Sequence, residues 1–294
     1  MSFLTDGPNR TMVPSEFVSV FASGTRRRYV RHIPIIPLLS TLMLPSMAAA
    51  TAEHTQLGQG SPPGKLSVGA GYEHYIAQWD GRHSTNVEVL QDRFYVRGVY
   101  QPSRRLRVGA RLGAANLSAP DLSGNYFWNH IDYGYSSFGS VDLNWTPLGA
   151  VPGGLGGALD ILFEVSAFTT YTADWMEGWY DGFGTRVDYE AYPEVSSMWE
   201  GRLAILVAAH SGYFRFGAGP MLLQSGAETR THFRISWTEG VWEEVTETDY
   251  FTTRNELGMV YALRFSPGLA IVIDAEAVWT AGGPLFKISL YRIL

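Results

Sequence analysis

From Lys65 to Leu294 apolar and polar residues alternate with a period of two, and no segment keeps a helical apolar stripe for three turns. The clearest run is 269–280. There Leu269, Ile271, Ile273, Ala275, Ala277 and Trp279 share one face, opposite Val272, Asp274, Glu276, Val278 and Thr280. In 158–172, Leu159, Ile161, Phe163, Val165, Ala167 and Tyr171 oppose Asp160, Glu164, Ser166, Thr170 and Thr172. In 106–115, Leu106, Val108, Ala110, Leu112 and Ala114 alternate with Arg107, Gly109, Arg111 and Gly113. Leu257, Met259, Tyr261, Leu263 and Phe265 alternate in the same way with Glu256, Gly258 and Arg264. Turn signals at 101–104, 152–154, 210–212 and 266–268 join successive runs by short hairpins. Longer polar and aromatic stretches at 80–91, 118–132, 174–193 and 228–250 read as loops between them. About ten strands result, near 65–78, 92–101, 105–117, 134–146, 157–173, 195–209, 213–225, 251–265, 269–280 and 284–293. The even count puts both ends of the strand region on the short-turn side.

A soluble sandwich also alternates, and a secreted soluble β-sandwich or barrel is one alternative reading. Three features favour a membrane. The strands approach the ~9–11 residues that cross a bilayer at a tilt, where soluble strands average about 5–6. Connections are short on one side and long on the other. Aromatics gather near strand ends, at Tyr100, Trp145, Tyr171, Trp175, Trp199, Tyr213, Phe265, Trp279 and Tyr291, where interfacial girdles sit. Inside hydrocarbon every backbone N–H and C=O must be paired, so a sheet is admissible only when it closes.

The first 50 residues read as an address. Arg26-Arg27-Arg28-Tyr29-Val30-Arg31-His32 is a basic block, Ile33 to Met47 is apolar, and Ala48-Ala49-Ala50 supplies a small-residue cleavage site. Pro34, Pro37 and Pro45 interrupt the apolar stretch and argue against a retained membrane helix. The expected organisation is an extended n-region with a cleavable signal peptide over 1–50, a polar spacer over 51–64 and a β-barrel over 65–294.

Composition adds exclusions. The chain has no cysteine, which removes disulfides and thiolate chemistry and suits an oxidising periplasm. A net charge of −6 argues against nucleic acid as a partner. Glycine (32) and aromatics (14%) are abundant, as strands and tight turns require.

With these residues in hand, 65–294 resembles the superfamily of bacterial (Gram-negative) outer-membrane β-barrel proteins. The last strand, Phe286-Lys287-Ile288-Ser289-Leu290-Tyr291-Arg292-Ile293-Leu294, resembles their C-terminal assembly signal, although this chain ends in Leu294 rather than an aromatic. The resemblance implies an all-β, closed antiparallel transmembrane barrel of about ten strands, with eight to twelve in range, in the bacterial outer membrane. Its implied partners are outer-membrane lipid, lipopolysaccharide and the barrel-insertion machinery.

If the apolar faces meet lipid, the opposite faces line the lumen. They carry Glu73, Arg93, Arg97, Arg107, Arg111, Asp142, Asp160, Glu164, Glu200, Arg202, Arg215, Glu256, Arg264, Asp274, Glu276 and Lys287. Arginine–carboxylate pairing among them would fill a narrow barrel; a narrow pore is the sharper alternative. The function expected is a structural or surface-interaction role, or a narrow pore, without cofactor or metal.

Enzymatic alternatives are an omptin-like outer-membrane protease and a lipid A-modifying barrel. The first would use His130 with Asp132, and Asp174 with Glu177 or Asp181, to activate water. The second needs a hydroxyl beside a histidine, and the adjacent pairs His83-Ser84 and His210-Ser211 would point to opposite faces of a strand. No Walker A loop, dinucleotide fingerprint, G-x-S-x-G or H-E-x-x-H motif is present.

Overall fold

The computed structural model describes residues 64–81, 87–119, 131–148, 157–182, 185–211, 213–238, 241–253, 256–267 and 270–294. The expected signal peptide and nearly all of the spacer lie outside these residues. So do His83, Ser84 and His130.

Thirteen strands occur among the described residues: β1 (Leu66–Asp80), β2 (Val87–Ser103), β3 (Leu106–Ala119), β4 (Ile131–Leu148), β5 (Gly157–Phe168), β6 (Tyr171–Thr172), β7 (Met176–Gly182), β8 (Thr185–Ser211), β9 (Phe214–Thr238), β10 (Val241–Thr253), β11 (Glu256–Phe265), β12 (Ile271–Thr280) and β13 (Gly283–Ile293). Ten of them form a closed antiparallel ring in the order β1-β2-β3-β4-β5-β8-β9-β11-β12-β13. Closure is the β13–β1 ladder, from Ser67 opposite Ile293 to Tyr75 opposite Leu285. At the short-turn end the Leu294 N–H donates to the Leu66 carbonyl at 2.9 Å. The ring thus leaves no open edge at its level, as a lipid environment demands.

Sequence parity and structure agree along β3, β5, β11 and β12. Leu112, Phe163, Leu257 and Trp279 face outward and are exposed, while Arg111, Glu164, Glu256 and Val278 are buried inside. Two aromatics assigned to the girdle point inward instead. Tyr171 is fully buried because the strand breaks at Thr169–Thr170, between β5 and β6, which flips the parity. Tyr291 is also buried, sharing its face with Lys287 and Ser289. Of the other expected girdle aromatics, Tyr100, Trp145, Trp175, Trp199, Tyr213 and Trp279 are exposed and Phe265 is half-buried.

The segments 174–193 and 228–250, read above as loops, are largely strand. β8 and β9 run for 27 and 25 residues, more than twice the ~9–11 that cross a bilayer. Above the ring they continue as a sheet in the order β7-β8-β9-β10. β9 pairs with β11 through Leu223 and with β10 from Gly226 upward, so β10 and β11 together make one stave. The β12–β13 hairpin ends low, in a tight turn where Gly283 adopts φ +142°, a conformation L side chains resist. Above that turn β10 joins β1 directly, with Trp79 opposite Thr253.

The interior is layered. Toward the long-connection end it holds an apolar core that includes Tyr75, Trp79, Leu117, Tyr133, Tyr171 and Phe251, all almost completely shielded. Each large apolar side chain so placed contributes about 1.5–3 kcal/mol. Below it lies a layer of charge.

Candidate functional site: the ionic interior

Glu73 sits at the centre of the barrel and is fully buried. β1 points it inward between Tyr75 and Gly71, opposite Arg93 on β2 and Lys287 on β13. One carboxylate oxygen accepts from Arg93 Nη1 at 3.0 Å and from Arg202 Nη2; the other accepts from Arg111 Nη1 at 2.9 Å. Glu200 takes a forked contact from Arg93 (2.6 and 3.2 Å) and Arg202 Nε at 2.9 Å. Glu164 accepts from Arg111 Nη2 and from Lys287 Nζ at 3.0 Å. Glu276 completes the group 3.7 Å from Arg202. Four acids and four bases from seven strands therefore neutralise one another within the wall.

Two further guanidinium donors are used. Arg93 Nε donates to Gln91 at 2.6 Å, and Arg111 Nε to Ser140 at 2.7 Å. The Arg93 guanidinium lies 5.0 Å from the Tyr75 ring and 4.8 Å from the Phe168 ring, which joins the ionic layer to the apolar one above it.

Nearer the short turns the pairs are separate. Arg97 meets Asp142 at 2.6 Å, Arg264 forks onto Asp274 at 2.6 and 2.8 Å, and Arg215 meets Asp160. Tyr291 links the first two: it accepts from Arg97 at 2.7 Å and donates to Asp274 at 2.8 Å. Of the sixteen residues expected on the inner face, fourteen thus join ion pairs. Arg107 and Glu256 do not. Arg107 has no carboxylate partner among the described residues. Glu256 bonds Thr280 and the Gln78 backbone beside the β12–β13 turn. Gln91, Ser140 and Tyr291 were missed in the sequence reading, although inward parity with Arg93, Asp142 and Lys287 marks all three.

Of the residues weighed for catalysis, His130 lies outside the described residues. Asp132 accepts from the Gly134 N–H at 2.9 Å, a local turn bond, and Asp174 and Glu177 are exposed. On the projecting sheet, Arg234 pairs with Glu190 at 2.8 Å and stacks on Trp242, and Glu190 pushes the Arg234 guanidinium pKa further up. Among the described residues no three acidic or histidine side chains form a metal-binding group.

No protein-family model and no curated protein sequence matches the chain. Solved structures do show similarity. The outer membrane protease OmpT from Escherichia coli is 7% identical over 79% of this chain and 95% of its own, with a TM-score of 0.36. Ail, the attachment invasion locus protein of Yersinia pestis, is 10% identical over 79% of this chain and 100% of its own (TM-score 0.25). The outer membrane protein OprG from Pseudomonas aeruginosa is 6% identical over 80% and 98% (TM-score 0.33). The wall's own geometry stands independently of them: the chain folds as a closed, ten-stave antiparallel β-barrel, apolar outside and ion-paired inside.

Proposed function

We propose that this protein is a non-conducting, non-enzymatic outer-membrane barrel that serves to hold the β7–β8–β9–β10 sheet above the lipid as a surface for interaction. The observation that carries the reading is the pairing of a filled interior with overlong strands. Eight mutually neutralised side chains and an apolar layer occupy the bore, while β8 and β9 continue far past the bilayer. A conducting pore needs a continuous polar path whose sites release their ions; carboxylates of which three are each held by two or three cations do not offer one. The exposed residues of the sheet include Trp179, Trp242, Glu243, Glu244, Glu247 and Tyr250, an aromatic and acidic mixture suited to polar partners. Lipopolysaccharide and outer-membrane lipid surround such a barrel, and the insertion machinery handles it during assembly.

Planar-bilayer recording of the purified protein tests the reading. No unitary conductance above background is expected, and reproducible single-channel steps overturn it. In parallel, incubation with a basic peptide should leave the peptide intact; cleavage that follows the protein through purification would restore the protease alternative.

A further inference from the structure

At the short-turn end of the interior, below the central cluster, lies a cavity of about 110 Å³. Seven of its lining residues are basic and four are acidic. The acids are all engaged: Asp160 by Arg215, Glu164 by Lys287 and Arg111, Asp274 by Arg264, and Glu276 by Arg202. Arg97 is held by Asp142. Arg104, Arg105 and Arg107 remain, and none has an ion-pair partner among the described residues. Arg107 Nε is shielded from solvent and makes no hydrogen bond. The short turns 149–156, 212 and 268–269 contain no acidic residue in sequence.

A buried guanidinium nitrogen without an acceptor is costly unless a ligand completes it. Three unneutralised arginines beside low-dielectric walls concentrate positive field in the cavity. Guanidinium forks match the oxygen spacing of tetrahedral oxyanions. We propose that this cavity binds a soluble multivalent oxyanion of the phosphate class, entering past Arg104 and Arg105 at the rim and seated on Arg107. The cavity is inside the wall, and the apolar outer belt separates it from surrounding lipid. A free anion, not a lipid headgroup, is therefore its occupant.

The test is a titration of the full chain, refolded in an uncharged detergent, with inorganic phosphate and with sodium chloride at matched ionic strength. Melting temperature and calorimetric heat are read together. Phosphate should raise the melting temperature saturably where chloride does not. Arg107→Gln should weaken phosphate binding about tenfold or more, the equivalent of one charge-assisted hydrogen bond. The exposed rim pair R104Q/R105Q, where folding is not at stake, should weaken it as well. Equal shifts with phosphate and chloride overturn the proposal, as does unchanged affinity in the rim variant. Stabilisation by vesicles containing phosphatidylglycerol, with inorganic phosphate inert, overturns it in favour of a lipid headgroup.

Discussion

Glu73 on β1 and Arg202 on β8 are 129 residues apart in sequence and hydrogen-bonded across the middle of the barrel. Neither side chain has access to water. Such a pair is stable only while every charge in the group is answered, because removing one partner leaves the others buried and uncompensated. Glu73→Gln keeps the shape and deletes the charge that three arginines share. A loss of about 3–5 kcal/mol is expected. Urea unfolding in detergent, followed by tryptophan fluorescence, measures it, and Arg202→Met in the same background should return part of the loss. A Glu73→Gln barrel as stable as the parent would show that the centre is hydrated.

The Arg234–Glu190 pair on the projecting sheet is the counter-case. The Arg234 side chain is 42% exposed and Glu190 22%. An exposed pair contributes little to stability, and salt screens it. Glu190→Gln should therefore leave the urea midpoint nearly unchanged, and raising the salt should narrow even that difference. The contrast with Glu73→Gln separates ionic groups inside the wall from those on the crown.

Gly109 faces Asp142 across the β3–β4 ladder. A methyl group there would lie 2.4 Å from the Asp142 carboxylate oxygen, closer than atoms tolerate. Gly109→Ala must push Asp142 off Arg97, at a cost of about 1–3 kcal/mol for the group left unpaired. Gly98, also on a strand, has nothing within 4 Å of such a methyl, so Gly98→Ala serves as the silent control. Equal effects from the two would mean that strand glycine itself, not the Arg97–Asp142 contact, sets the sensitivity.

How much of this was legible in the sequence depends on where lipid imposes a pattern. Within the belt, outward positions must be apolar, so 106–115 and 269–280 announce both their strands and their inner charges. Above the belt that demand disappears. Glu243, Glu244, Val245, Thr246, Glu247 and Thr248 are exposed on both faces of β10, and a strand with two wet faces has the composition of a loop. The upper part of β9 was hidden for another reason: its buried face is mostly polar, Thr229, Thr231 and Ser236 around Phe233, so burial there leaves no apolar alternation in the sequence. Tyr171 was misplaced because alternation carries no warning of a break in the strand. Parity puts Arg107 on the inner face, but it cannot say that its neighbours leave it unpaired; that depends on which staves face each other across the bore.

The height of the belt can be mapped by charge. Val96, Leu112 and Val141 are exposed on adjacent staves, with Leu112 opposite both Val96 and Gly139. Leu112 is 73% exposed, which in water would be an apolar side chain with no role. Facing hydrocarbon, Leu112→Arg should cost about 2–4 kcal/mol near the midplane. Val245 on β10 is exposed too, and the same substitution there should change little, since its surroundings are aqueous. The two variants are compared by unfolding in lipid vesicles, then by spin-label accessibility to oxygen and to a water-soluble nickel complex after cysteine replacement. Leu112 should be accessible to oxygen and closed to nickel, and Val245 the reverse. If both positions admitted the nickel complex equally, the barrel would be standing in water, and the outward apolar face would need a protein partner to cover it.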